Sequence, residues 1–241
     1  MIPLILLLAG SCADAKGAEE IVVSAAASLT DVFAEIETSF ETANPEVDVT
    51  LNLAGSSALR EQILEGAPVD VFASADRSNM DEVEEAGRLV GEARLFASNL
   101  LQIAVPAGNP AMIEGLADFA RDDLLIGLCA VEVPCGALAR MALARAGVTP
   151  IVDTNEPDVR ALLTRIEVGE LDAGITYVTD VTSSHGAVDG VAIPEDVNVP
   201  AEYMIGVVEQ GGNTEGADRF VGFVVSEQGR SILARYGFTP P

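Results

Sequence analysis

Three times between Ile21 and Gly87, an apolar run with strand character crosses a few small or hydroxyl residues and becomes a helical period. The first change is Ile21-Val22-Val23-Ser24 leading into Ala25-Ala26-Ala27-Ser28, after which Leu29, Val32, Phe33 and Ile36 recur on one helix face. The second takes Val47, Val49, Leu51 and Leu53, alternating with polar residues, through Ala54-Gly55-Ser56-Ser57 to Leu59, Ile63 and Leu64. The third is Val69-Asp70-Val71-Phe72-Ala73, ending at Ser74-Ala75-Asp76, with Ser78 and Asp81 expected to cap a helix that stops near Gly87. Strands that alternate with helices build a parallel sheet covered on both faces, so this segment predicts an α/β fold.

Each change also has chemical content. Ser28 with Asp31 three residues on has the form of a capping box, which predicts Ser28 as the N-cap. A strand that feeds a helix start is a ready anion site, because the first amides are unpaired and the helix dipole favours negative charge. An ordinary strand-to-helix joint looks the same, so one instance decides nothing. Repetition is what gives it weight.

The rest of the chain continues the alternation. Leu100 to Val105 predicts a strand, Pro106-Ala107-Gly108-Asn109-Pro110 a break, Leu116 to Phe119 a short helix and Leu124 to Leu128 a strand. The loop from Cys129 to Gly136 leads to a helix expected over Ala137 to Ala146, with Gly147 as its C′ residue. Pro157 and Asp158 open a helix whose buried stripe is Val159, Leu162, Leu163 and Ile166. Strands follow at Ala173 to Val178, Val188 to Ile193 and Val199 to Val208, then helical patterns at Phe220 to Val225 and Ser231 to Tyr236. The breaks divide the chain into two α/β lobes, the second (100–199) inserted into the first (20–99 plus 200–241), with crossovers near Asn99 and Pro200.

The formal net charge is −25 over 241 residues, and Lys16 is the only lysine. That balance argues against nucleic acid and anionic membrane surfaces as partners. Residues 1–19 read as a leader and tether, since Met1 to Cys12 is apolar but too short to span a bilayer. Leu8-Ala9-Gly10-Ser11-Cys12 resembles a bacterial lipobox, with Cys12 as the lipid-bearing residue, so a periplasmic or extracellular, lipid-anchored protein is expected. Cys129 and Cys135 then remain as an even pair in an oxidising compartment. Their spacing leaves a disulfide and two free thiols equally open.

Ser28, Ser56, Cys135 and Val159 all fall at predicted helix starts, and Tyr177 near the end of a strand adds a phenolic hydroxyl. In α/β sheets, ligands bind beyond the carboxyl ends of the strands, where such joints gather. A shell of hydroxyls and backbone amides can consist of donors alone, which suits a fully deprotonated oxyanion. Arg60 and Arg160 lie close by in sequence and are expected to be solvated. His185, the only histidine, sits in the loop Ser183-Ser184-His185-Gly186 with no recognisable nucleophile elbow, metal cluster or phosphate loop nearby.

Ala25-Ala26-Ala27-Ser28-Leu29-Thr30-Asp31, Gly66 to Asp76, Asp158-Val159-Arg160, Gly174-Ile175-Thr176-Tyr177 and the closing Arg235-Tyr236-Gly237-Phe238 together resemble the molybdate-binding proteins of molybdate ABC transporters. The resemblance covers essentially the whole chain after the leader. It implies a type II periplasmic-binding-protein fold, with two lobes, each a mostly parallel sheet flanked by helices, joined by two crossover strands. It further implies a monomeric binder, not an enzyme, that holds molybdate or tungstate between the lobes, needs no cofactor and delivers to a membrane permease. The oxyanion contacts it carries over are the hydroxyl and amide of Ser28 and of Ser56, the amides of Cys135 and Val159, and the Tyr177 hydroxyl. Cys135 stands where the family commonly has alanine, and a backbone contact survives that change. Two alternatives stay open: another tetrahedral oxyanion such as sulfate, or a hydrolase whose nucleophile is the Cys135 thiol.

Overall fold

The computed structural model describes residues 19–241, so the leader and the Cys12 lipobox lie outside the described residues. The chain opens with β1 (Glu19–Ala26), a 3₁₀ turn (Ala27–Leu29), α1 (Thr30–Ala43), β2 (Val47–Ala54), α2 (Ser56–Leu64), β3 (Val71–Ser74), α3 (Arg77–Glu85) and β4 (Leu89–Asn99). It then builds a second unit from β5 (Leu101–Pro106), β6 (Ile126–Cys129), α4 (Pro134–Arg145), β7 (Thr154–Glu156), α5 (Val159–Glu167), β8 (Ala173–Tyr177), α6 (Val178–Ser183) and β9 (Val188–Ala192). It returns to the first unit with β10 (Ala201–Val208), α7 (Thr214–Val224) and α8 (Glu227–Arg235).

The two sheets share one topology. Their strand orders are β2-β1-β3-β10-β4 and β7-β6-β8-β5-β9. In each, three strands pair in parallel and one runs against them, β10 in the first and β5 in the second. The strand beyond it is antiparallel to it, so four of the five point the same way. The order reverses at β1 and again at β6, giving each sheet a switch point where two adjacent crossovers part to opposite faces.

The sequence pattern explains the layers. Every residue of β3 and of β8 is buried, as expected of strands covered on both sides. On one face of the first sheet, α1 buries Val32, Phe33, Ile36 and Phe40, and the Phe40 and Phe220 rings meet edge to face at 5.2 Å. On the other face, Leu59, Ile63, Met80 and Val83 of α2 and α3 pack with Phe72, Met204 and Val208. Where the chain passes between sheets, Asn198 joins the two crossovers. Its amide nitrogen donates to the Leu101 carbonyl (2.9 Å), and its oxygen accepts from the Leu101 and Val199 amides (3.2 and 2.8 Å).

Several local expectations are corrected. The β4 strand has no clear alternation in sequence, because Gly91 at positive φ and two register shifts against β10 interrupt it. Asp76, not Ser78, caps α3, its carboxylate accepting the Asn79 amide at 3.1 Å. Helix α4 starts at Pro134 rather than Ala137, with proline at a position where no amide is needed. Six residues rich in Val and Thr form α6 despite a composition that disfavours helix.

Asp70 is the residue that fastens the first sheet. It is 4% exposed, and its two carboxylate oxygens accept the Val22 and Asn213 amides, each at 2.8 Å. An asparagine there could accept only one of them and would turn an NH₂ toward the other. Asp70→Asn should therefore lower the unfolding free energy by about 1–3 kcal/mol in a denaturant titration. An unchanged midpoint would mean that these bonds contribute nothing net.

Candidate functional site

The two switch points face each other across a cleft. Ser28, Ser56, Cys135, Val159 and Tyr177 all line a single cavity there, together with Ala26, Ala27, Gly55, Ala75, Val133, Pro134 and Asp158. The space between the two walls is narrow, with little more room than a single water molecule needs. Ser28 follows β1 and Ser56 follows β2, while Cys135 follows β6 and Val159 follows β7, so the two lobes contribute equivalent positions. None of these lining residues is lysine, arginine or histidine.

The amides are free for geometric reasons. In α2 the first helical bond runs from the Leu59 amide to the Gly55 carbonyl, which leaves the Ser56 amide upstream of it. In α4 it runs from Ala137 to Val133, leaving Cys135 and Gly136. In α5 it runs from Leu162 to Asp158, whose carboxylate also takes the Ala161 amide at 2.9 Å, leaving Val159 and Arg160. Asp158 thus lines the cavity, with its carboxylate engaged as the predicted helix cap.

Ser28 is not a cap. It lies within the 3₁₀ turn, Leu29 is the residue before α1, and no side chain caps either start. Its hydroxyl instead meets the Tyr203 hydroxyl at 2.9 Å, and no local sequence signal marks that partner. Asp31, the other half of the expected capping box, reaches across the cleft to Arg160, with contacts of 3.0 and 3.5 Å. Arg160 therefore ties one lobe to the other while its side chain stays 34% exposed. Arg60 is also engaged, donating to Asn79 and Glu82.

Ser56 accepts the Ala75 amide at 3.0 Å. The Tyr177 hydroxyl is fully buried and has no partner among the described residues, and burial pushes it well above its ordinary pKa, so it stays a donor. Cys135 is joined by a disulfide to Cys129, and both sulfurs are buried. This settles the cysteine question and leaves no thiol to act as the alternative nucleophile. The loop is held again by Arg140, which donates to the Cys129 and Gly136 carbonyls at 2.8 and 2.9 Å. At Gly136 a Cβ would fall 1.9 Å from the Ala130 carbonyl oxygen, so only glycine allows this turn.

Behind Tyr177 lies Asp180, 1% exposed, which accepts the Tyr177 amide at 3.0 Å. Burial pushes its carboxyl up to about 7, against the pull of that amide and of Arg160. In the unfolded chain it ionises near about 3.9. The folded state thus binds its proton more tightly, and the stability this gives is complete below about pH 4 and is lost as pH rises through about 7. Asp180→Asn, which can still accept from Tyr177, should flatten the fall of unfolding free energy across that window. Equal slopes in variant and wild type would show that the carboxyl ionises normally when folded.

A family model described as bacterial extracellular solute-binding protein matches residues 21–239. The molybdate-binding protein of Mycobacterium tuberculosis is 39% identical over 226 residues, covering 94% of this chain and 87% of that protein. Among solved structures, the periplasmic molybdate-binding protein of Azotobacter vinelandii gives a TM-score of 0.81 at 16% identity, covering 92% of this chain and 99% of that one. The sulfate-binding protein SubI from Mycobacterium tuberculosis gives 0.82 at 17% identity, covering 92% and 87%. At such identities these two structures speak for the fold alone.

Proposed function

The chain belongs to the bacterial extracellular solute-binding proteins, on the branch of the molybdate-binding members, and from that premise we propose that it captures molybdate between its lobes for an ABC permease. One observation carries the reading. Free amides at the helix starts of both lobes, the Ser28 and Ser56 hydroxyls and an orphaned buried Tyr177 hydroxyl converge on one cavity without a cationic side chain. In this reading Ser28 and Ser56 each give a hydroxyl and an amide, Cys135 and Val159 give amides, and Tyr177 gives its hydroxyl.

Neutral donors suffice for a dianion because each hydrogen bond to a charged group is worth about 1.5–3 kcal/mol net, and the helix starts add their dipoles. The acidic exterior opposes this only at long range, since salt at 0.1 M screens charges beyond about 10 Å. Tungstate, of the same shape and charge, is held in the same way. The protein acts as a monomer outside the cytoplasmic membrane, anchored through Cys12, and no resident cofactor enters the reading. Sulfate shares the shape but is smaller, and the 39% identity to a molybdate-binding relative favours the larger anions.

Calorimetric titration of molybdate, tungstate and sulfate is the direct test. Molybdate and tungstate should bind far more tightly, and a preference for sulfate, or no binding at all, would overturn the assignment. Closure is open to test at Gly55, which touches the opposite lobe. A Cβ there would lie 2.7 Å from the Pro157 carbonyl oxygen, whereas φ −60° and ψ 138° suit alanine well. Gly55→Ala should leave thermal stability nearly unchanged while weakening molybdate binding and reducing ligand-induced compaction in solution scattering. Wild-type affinity in that variant would show that the ligand is held with the lobes further apart.

A further inference from the structure

Two of the helix starts that face the cavity also carry opposite charges beside it. Asp31 lies in the first turn of α1, three residues after Ser28, and Arg160 follows Val159 in the first turn of α5. The first belongs to one lobe and the second to the other. Two guanidinium nitrogens of Arg160 donate to the two carboxylate oxygens of Asp31, at 3.0 and 3.5 Å, in the forked arrangement that suits these groups. Ser183, in α6 of the same lobe as Arg160, accepts from the guanidinium at 3.3 Å while its own hydroxyl donates to the Asp180 carbonyl at 3.1 Å. The arginine is thus aimed from its own side, and only the carboxylate comes from across the cleft.

Among the described residues, every other ion pair lies within a single lobe. The other side-chain hydrogen bond between lobes joins Asn99 to Thr179 at the first crossover, where the chain itself already holds the lobes together. A bond at the hinge survives opening of the cleft, whereas one beside the cavity does not. Asp31 and Arg160 must part when the lobes swing open. Their side chains are 40% and 34% exposed, so each regains water easily, and the pair biases closure without locking an empty protein shut. Neither residue lines the cavity. We propose that Asp31 and Arg160 are positioning residues whose side chains clasp the lobes over the bound anion and so raise its affinity without contacting it. The inference rests on the oxyanion reading of the cavity and goes beyond it by naming what holds the cleft closed. It also makes a prediction of unusual sign. A carboxylate near a dianion opposes binding by charge alone, so loss of Asp31 should help the ligand unless the clasp matters more.

Calorimetric titration of Asp31→Ala, Arg160→Gln and the double variant with molybdate tests it. Asp31→Ala should raise the molybdate Kd by about two- to fivefold although it removes a negative charge. The two changes together should cost less than the product of their separate effects, because either one alone already breaks the clasp. Thermal unfolding without ligand separates a clasp from a contact that serves folding. Ligand-free lobes are apart in this reading, so there the two substitutions should shift the midpoint independently. Asp31→Asn keeps the shape of the helix start and serves if the alanine variant does not fold, with its Kd expected to rise in the same direction. A Kd at or below wild type after loss of Asp31, or Kd changes that simply multiply, overturns the clasp and leaves the oxyanion reading standing. Coupling in the ligand-free midpoint overturns it as well, and assigns the pair to the stability of the fold. A wild-type protein that binds no molybdate overturns the functional reading and the clasp together.

Discussion

An amide at the start of a helix has no carbonyl within the helix to receive its hydrogen, and burying it unmet is costly. This chain places such starts at the mouths of two sheets and turns them toward one another. The cavity they enclose is polar without being charged, and small enough that a ligand must satisfy nearly every group at once. Much of the surrounding structure serves this arrangement. The carboxylates of Asp76 and Asp158 cap their helices from within, Asn198 holds the crossovers together, and Gly55 and Gly136 let backbone approach backbone.

Shared topology explains why the arrangement is balanced. Each sheet reverses its strand order at its first parallel strand, and the two loops that part there supply one position from each side of the reversal. Ser28 and Ser56 in one lobe thus answer Cys135 and Val159 in the other. The third position is where the lobes diverge: β3 runs into Ala75, whose amide supports Ser56, whereas β8 ends in Tyr177, whose hydroxyl enters the cavity.

The α/β alternation and the helix starts at Ser56 and Val159 were legible in the sequence because they depend on local periodicity and on proline and carboxylate signals that act within a few residues. Ser28 lines the cavity but is not the cap that its spacing to Asp31 predicts, since its 3₁₀ turn has no distinctive sequence mark. Tyr203 could not be found that way. It lies 175 positions from Ser28 in sequence, and only folding the last strand between β3 and β4 brings it beneath that residue. The Arg160 pairing leaves no mark in the sequence either, because its partner Asp31 belongs to the other lobe. Tertiary pairing of distant polar groups leaves no periodic trace.

The bond between Cys129 and Cys135 ties the end of β6 to the first turn of α4, closing a ring of backbone around the loop that presents the Cys135 amide. Closing it removes much of that loop's freedom when the cysteines oxidise rather than when a ligand arrives. A chain still carrying two thiols would rely on Arg140 and on backbone bonds such as Ala130 to Glu156 to shape this part of the cavity. Oxidation thus performs part of the ordering that would otherwise fall to a ligand.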